Sequence, residues 1–169
     1  MDFVPITFPE LTINVPYVPT PKHVAREMLK LAQVGPGDVV YDLGAGDGRI
    51  VIMAVEEFGA ERAVGIEIRG DLVQIARDEV KKRGLEDKVE IVQADALEVP
   101  LGDATVVTMF LLPDLMEALR PKLERELREG ARVVSHEYIM AKWKPVKEVK
   151  LEDEHMFHHL YLYVKGMSF

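Results

Sequence analysis

The chain has 169 residues, 48% of them apolar and 30% charged, which suits one domain burying about two-thirds of its unfolded surface and is too apolar for disorder. It contains no cysteine, so disulfides, thiolate metal sites and cysteine nucleophiles are excluded. A net charge of −8 argues against a phosphate-binding surface, which needs clustered Lys and Arg, and favours a basic partner.

No apolar run approaches the ~20 residues of a membrane span, and the start Met1-Asp2-Phe3 lacks the basic flank of a secretory signal. A cytoplasmic, monomeric protein is expected. One Asn and three Gln stand against 50 charged side chains. That is the bias of heat-adapted proteins, with compositional drift as the plainer alternative. The basic triplet Lys81-Lys82-Arg83 falls at the end of an expected helix, where cations answer the helix dipole. Nucleic acid is therefore not the expected partner.

Residues 1 to 20 are apolar, but Pro5, Pro9, Pro16 and Pro19 forbid a regular helix. Thr20-Pro21 reads as N-cap and first helical position, followed by the stripe Val24, Met28, Leu31 and Ala32 and a stop at Gly35-Pro36-Gly37. The chain then alternates. Strands are expected at Val39 to Leu43, Ala63 to Ile68, Val89 to Gln93, Thr105 to Leu111 and Ala131 to Ile139. Helices are expected at Gly48 to Phe58, from a cap at Asp71 to Arg83, and at Asp114 to Arg128 with a break at Pro121. Such alternation implies a parallel sheet with helices on both faces. Val146 to Leu151 and Phe157 to Lys165, around Glu152-Asp153-Glu154, suit a closing hairpin. The expected fold is thus a single α/β domain over residues 1 to 169, with a seven-stranded Rossmann-like sheet.

The most informative segment is Asp42-Leu43-Gly44-Ala45-Gly46-Asp47-Gly48-Arg49, where a buried strand runs through a glycine turn into a helix. Ligands of open α/β sheets bind beyond such strand ends. The third glycine of a dinucleotide fingerprint would fall on Arg49, and no G-K-S/T follows for a P-loop. Asp42 and Asp47 would repel a pyrophosphate but suit a nucleoside carrying an ammonium and a sulfonium, namely S-adenosylmethionine. Glu67, 25 positions after Asp42, ends the second strand where an acid can hold ribose hydroxyls. Asp95, beside Ala96 just past the third strand, is placed to accept a hydrogen bond from the adenine amino group. Tight packing is the bland reading of a glycine turn, and a helix cap that of Asp95. Three such signals at successive strand ends favour the cofactor.

On these residues the sequence resembles the class I S-adenosylmethionine-dependent methyltransferases over nearly its whole length. Asp42 through Gly48 is similar to their first motif, Glu67 to their ribose-binding acid and Asp95 to their adenine-side acid. The resemblance also implies that the closing hairpin supplies the antiparallel last strand of their sheet. More narrowly it resembles the small archaeal protein-lysine methyltransferases and a mitochondrial relative, through Tyr17-Val18-Pro19-Thr20, Tyr41-Asp42-Leu43-Gly44, Gly46 to Ile50, Phe110-Leu111-Leu112 and Val134-Ser135-His136-Glu137. That likeness implies transfer of a methyl group to lysine amines of protein substrates. It implies Thr20 on the cofactor's carboxylate, with the helix cap as the alternative, and Phe110 beside the methyl group, with core packing as the alternative. Tyr17, Leu112 and His136 are candidates to line a substrate pocket.

Ser135, His136 and Glu137 cannot form a triad, because neighbours on a strand face opposite ways. The same holds for His158 and His159, and no ligand set has zinc spacing, so no metal is expected. An adenine-N6 enzyme would carry a polar side chain in the turn that here reads Phe110-Leu111-Leu112-Pro113. RNA or small-molecule methylation, and cofactor binding without turnover, are the alternatives.

Overall fold

The computed structural model describes residues 2–8 and 11–169, with side chains from Tyr17 onward. Two strands, β1 (Asp2–Phe8) and β2 (Leu11–Tyr17), pair antiparallel as a separate two-stranded sheet. Helix α1 (Lys22–Leu31) follows. Then come β3 (Val39–Leu43), α2 (Arg49–Glu56), β4 (Arg62–Glu67), α3 (Gly70–Lys82), β5 (Val89–Gln93) and β6 (Val106–Met109). The chain closes with α4 (Pro113–Glu126), β7 (Arg132–His136), β8 (Lys147–Glu152) and β9 (Phe157–Val164).

The main sheet has seven strands in the order β5-β4-β3-β6-β7-β9-β8. The first five run parallel, and β9 runs antiparallel between β7 and β8. The winding reverses between β3 and β6, which places a crevice beyond their carboxyl ends. Alternate side chains of each strand feed opposite cores. Val40, Ala63, Val106 and Val134 join Val24, Met28 and Leu29 of α1 and the apolar face of α2. Tyr41, Val64, Val107 and Val133 join Met116, Leu119 and Leu123 of α4 on the other face. The edge strand β8 reads Lys-Glu-Val-Lys-Leu-Glu and is largely exposed, a charged edge that discourages pairing with another chain.

Several expected boundaries move for identifiable reasons. Thr20 does not cap α1: Pro21 stands at the cap without a side-chain bond, because the Thr20 hydroxyl is taken by His136. Arg69, not Asp71, precedes α3, and Asp71 lies in its first turn. Helix α4 runs unbroken through Pro121. Pro121 and Glu117, the residue whose carbonyl it leaves unpaired, both lie on the exposed side, where water can take that bond. Strand β7 stops at His136 because Glu137 adopts a positive φ of 76°.

Candidate functional site

A cavity of about 470 Å³ opens at the carboxyl ends of β3, β4, β5 and β6. Its floor is the glycine turn, in which Gly44, Gly46 and Gly48 have φ of 82°, 58° and 83°, a region costly for residues with a Cβ. At Gly46 a Cβ would also lie 2.9 Å from the Tyr17 hydroxyl. That close approach lets the hydroxyl accept the Asp47 N–H at 3.1 Å, tying the end of β2 to the turn.

Two acids dominate the floor. Glu67 is buried, and its two carboxylate oxygens accept the N–H groups of Gly46 at 2.8 Å and Arg69 at 3.0 Å. Such charge-assisted bonds fix its orientation. Asp42 is 3% exposed and takes only the Thr108 hydroxyl, at 2.8 Å. Burial, with the nearby charges of Glu67 and Asp47 added, pushes its carboxyl up to about 8 despite the Thr108 bond. Among the described residues it has no cationic partner within ion-pair distance.

Asp47 behaves differently from the expectation that it would offer charge to a ligand. Burial alone would raise it, but Arg49 grips both its oxygens, at 3.0 and 2.6 Å, and holds it below the usual carboxylate range. The other arginine on the cavity, Arg69, is likewise paired, with Asp71 at 2.9 Å. With its carboxyl up at about 8, Asp42 is largely protonated at neutral pH in the free site, so the cavity holds a buried acid that a bound cation would ionise, and no uncommitted guanidinium. It suits a cation and not a phosphate.

The other sequence candidates divide. Tyr17, Thr20, Asp95, Ala96 and Phe110 line the cavity together with Asp42, Gly44, Gly46, Asp47 and Glu67. Asp95 also accepts the Leu97 N–H at 2.9 Å, which closes a turn and caps no helix, since β5 is followed by β6 with no helix between them. Gly48 lies behind the wall as the cap of α2. Leu112 is 67% exposed and caps α4 outside the cavity. His136 stands one layer back, its ring 4.1 Å from that of Phe110 and its Nδ1 3.0 Å from the Thr20 hydroxyl. Ser135 faces away, donating to the Tyr138 carbonyl at 2.6 Å.

Arg49, Arg69, Thr108, His158 and Asp153 were not singled out as site residues from sequence. Arg49 stands two residues from Asp47 inside the motif, a spacing that permits the pair. Arg69 follows Glu67 by two residues and is likewise local, whereas Thr108, His158 and Asp153 meet their partners only through long-range pairing. His158 is 3% exposed and joins His136 at 3.0 Å and Asp153 at 2.8 Å. Burial, and then His158, push His136 down to about 4. The His155 amide, His158 and the Met156 amide hold Asp153 far below the usual range.

An open sheet of this order, with a glycine turn and acids at the ends of neighbouring strands, defines the class I S-adenosylmethionine-dependent methyltransferases. Residues 42–147 match the ANTKMT methyltransferase domain, and the chain belongs to that family. It is 49% identical to a protein-lysine N-methyltransferase of Saccharolobus islandicus (strain REY15A), over 90% of this chain and 95% of that one. It is 38% identical to an adenine nucleotide translocase lysine N-methyltransferase of Mus musculus, over 82% of this chain but 60% of that one. Among solved structures, an RNA methyltransferase from Salinibacter ruber in complex with S-adenosyl-L-homocysteine is 47% identical. It superposes with a TM-score of 0.80 over 87% of this chain and 93% of that one.

Proposed function

We propose that this methyltransferase transfers the methyl group of S-adenosylmethionine to the side-chain amine of lysine in other proteins. The observation that carries the reading is a cavity with a buried acid, Asp42, that has no cationic partner among the described residues, and with both arginines committed to aspartates. That charge balance fits a ligand bearing an ammonium and a sulfonium, and an acceptor that arrives as a cation. Similarity to two relatives named as lysine methyltransferases supports the acceptor.

In this reading Glu67 holds the ribose hydroxyls and Asp95 the adenine amine. The turn at Gly44 and Gly46 lets the backbone approach the cofactor, and Asp42 balances its positive end. The bound cofactor supplies an electrophilic methyl on sulfur, so the protein's part is positioning and exclusion of water. Phe110 provides an apolar wall for the methyl group and the lysine stem. Tyr17 closes the side fed by the N-terminal strands, which form one working unit with the rest of the chain. Lysine must lose a proton before attack, since its free pKa is ~10.4.

The second reading is RNA methylation, favoured by the name of the Salinibacter ruber relative. Against it stand the net charge of −8 and the cavity mouth, where Val18, Ile68 and Leu97 are exposed. An apolar mouth fits a polypeptide better than a phosphate backbone. Arg83, in the one basic triplet, is already paired with Glu56 and Glu79. Among the described residues no helix is long and apolar enough to cross a membrane. The composition, poor in amides and without cysteine, fits a heat-adapted cytoplasmic protein. Incubation with labelled cofactor and fractionated cell extract tests the assignment: label in protein is expected, and label confined to RNA or small molecules would overturn it.

A further inference from the structure

Thr20, His136, His158 and Asp153 form one hydrogen-bonded chain from the cavity wall to the surface. Thr20 Oγ1 lies 3.0 Å from His136 Nδ1, His136 Nε2 lies 3.0 Å from His158 Nδ1, and His158 Nε2 lies 2.8 Å from Asp153 Oδ2. Thr20, His136 and His158 are no more than 5% exposed. The far end is anchored, because Asp153 Oδ1 accepts the N–H groups of His155 and Met156, each at 2.9 Å.

When both imidazoles are neutral, polarity through such a chain is fixed. A carboxylate only accepts, and a neutral imidazole has one donor and one acceptor. His158 therefore carries its proton on Nε2, facing Asp153, and accepts on Nδ1. His136 donates from Nε2 to His158 and accepts on Nδ1. The Thr20 hydroxyl must then donate its single proton to His136, away from the cavity. Only its lone pairs remain for a ligand.

We infer that the Asp153–His158–His136 chain fixes Thr20 as a hydrogen-bond acceptor toward the cavity, so that Thr20 receives an N–H of a bound ammonium and does not donate to a carboxylate. The inference rests on the cavity being the cofactor site. His136 and His158 are positioning residues, acting on the ligand only through Thr20. The ammonium has two sources, the amino-acid end of the cofactor and the acceptor amine. A second proton on His158 would leave its bond to Asp153 as it is, but would reverse the two bonds beyond it and turn the Thr20 proton toward the cavity. The groups facing His158 are His23 from α1, His136 from β7, Glu137 just after β7 and Asp153 from the β8–β9 turn.

Nitrogen-15 NMR of histidine-labelled wild-type protein reads the chain directly. At neutral to mildly alkaline pH both His136 and His158 are expected with the proton on Nε2. A proton on Nδ1 of His136 would overturn the inference. The ligand side is read by calorimetry on the wild type, Thr20→Val and Thr20→Ser. The probes are S-adenosylhomocysteine, its analogue lacking the amine and its analogue lacking the carboxylate. Thr20→Val weakening the first and third about tenfold or more and sparing the amine-free analogue assigns Thr20 to the cofactor ammonium. No change for any probe, with a higher KM for a lysine peptide and a displaced pH profile, assigns it to the acceptor. Thr20→Ser should retain wild-type behaviour in either case. Weakening of the amine-free analogue with sparing of the carboxylate-free one would overturn the inference, as would no effect on any binding or KM. Failure of the wild type to bind S-adenosylhomocysteine would instead refute the cofactor site, and the NMR result would still stand.

Discussion

Asp42 illustrates how a buried acid on the cavity floor opposes the stability of the fold that holds it. Its carboxyl is pushed from 3.8 to about 8, so folding favours the protonated form. That contribution is present in full below the unfolded value and is lost as pH rises from about 4 to about 8. Asp42→Asn keeps an acceptor for Thr108 and removes the buried charge. It should therefore melt higher than the wild type at pH 8, with the difference closing as the pH is lowered to about 4 and below. Each kcal/mol gained is worth about 2–4 °C in a domain of this size. The same variant should bind S-adenosylhomocysteine more weakly; thermal melts at both pH values and calorimetry check the two halves. Glu67→Ala should weaken cofactor binding by roughly 1.5–3 kcal/mol if Glu67 bonds the ribose. It should also lower the melting temperature, because the amides of Gly46 and Arg69 lose their acceptor. Unchanged affinity in calorimetry would remove Glu67 from the site.

The central strands and the helices between them were legible because each is encoded locally, as an apolar run or a helical stripe between glycines. The glycine turn, Glu67 and Asp95 were legible for the same reason, since each follows directly from the end of a strand. His136 was noticed, but its partner was not. Their contact depends on β7 pairing with β9 so that His136 stands opposite Leu160, two residues from His158, and nothing near either histidine encodes that register. Thr20 shows the same limit, for a cap is the local reading and a long-range bond displaced it. The N-terminal strands pose the corresponding test for an element. Tyr17 ends β2 and bonds the glycine turn, so deleting residues 1 to 12 removes β1 and frees that anchor. Methyl transfer should fall on the order of 10²-fold, as for a displaced positioning group, while the melting temperature moves by only a few degrees. Full activity in the truncated protein would show that these strands are dispensable.

Taken as a whole, the molecule, with a net charge of −8, holds an apolar-rimmed cavity with two buried acids on its floor. A lysine side chain matches both, with its cationic end for the floor and its methylene stem for the rim. Because the neutral amine attacks, transfer to a subsaturating lysine peptide should rise with pH through the neutral and alkaline range. Desolvation in the cavity would shift that rise to lower pH. A flat profile from pH 7 to 9.5 would mean that deprotonation of the acceptor is not part of the rate. The acceptor itself is tested most directly by peptide mass spectrometry of extract proteins and of the enzyme after incubation with S-adenosylmethionine, with Asp42→Asn as control. The expected result is methyl mass added on lysine side chains, sharply reduced with the variant. Methyl mass on arginine, glutamine or histidine instead, or none in protein while RNA becomes methylated, would contradict it.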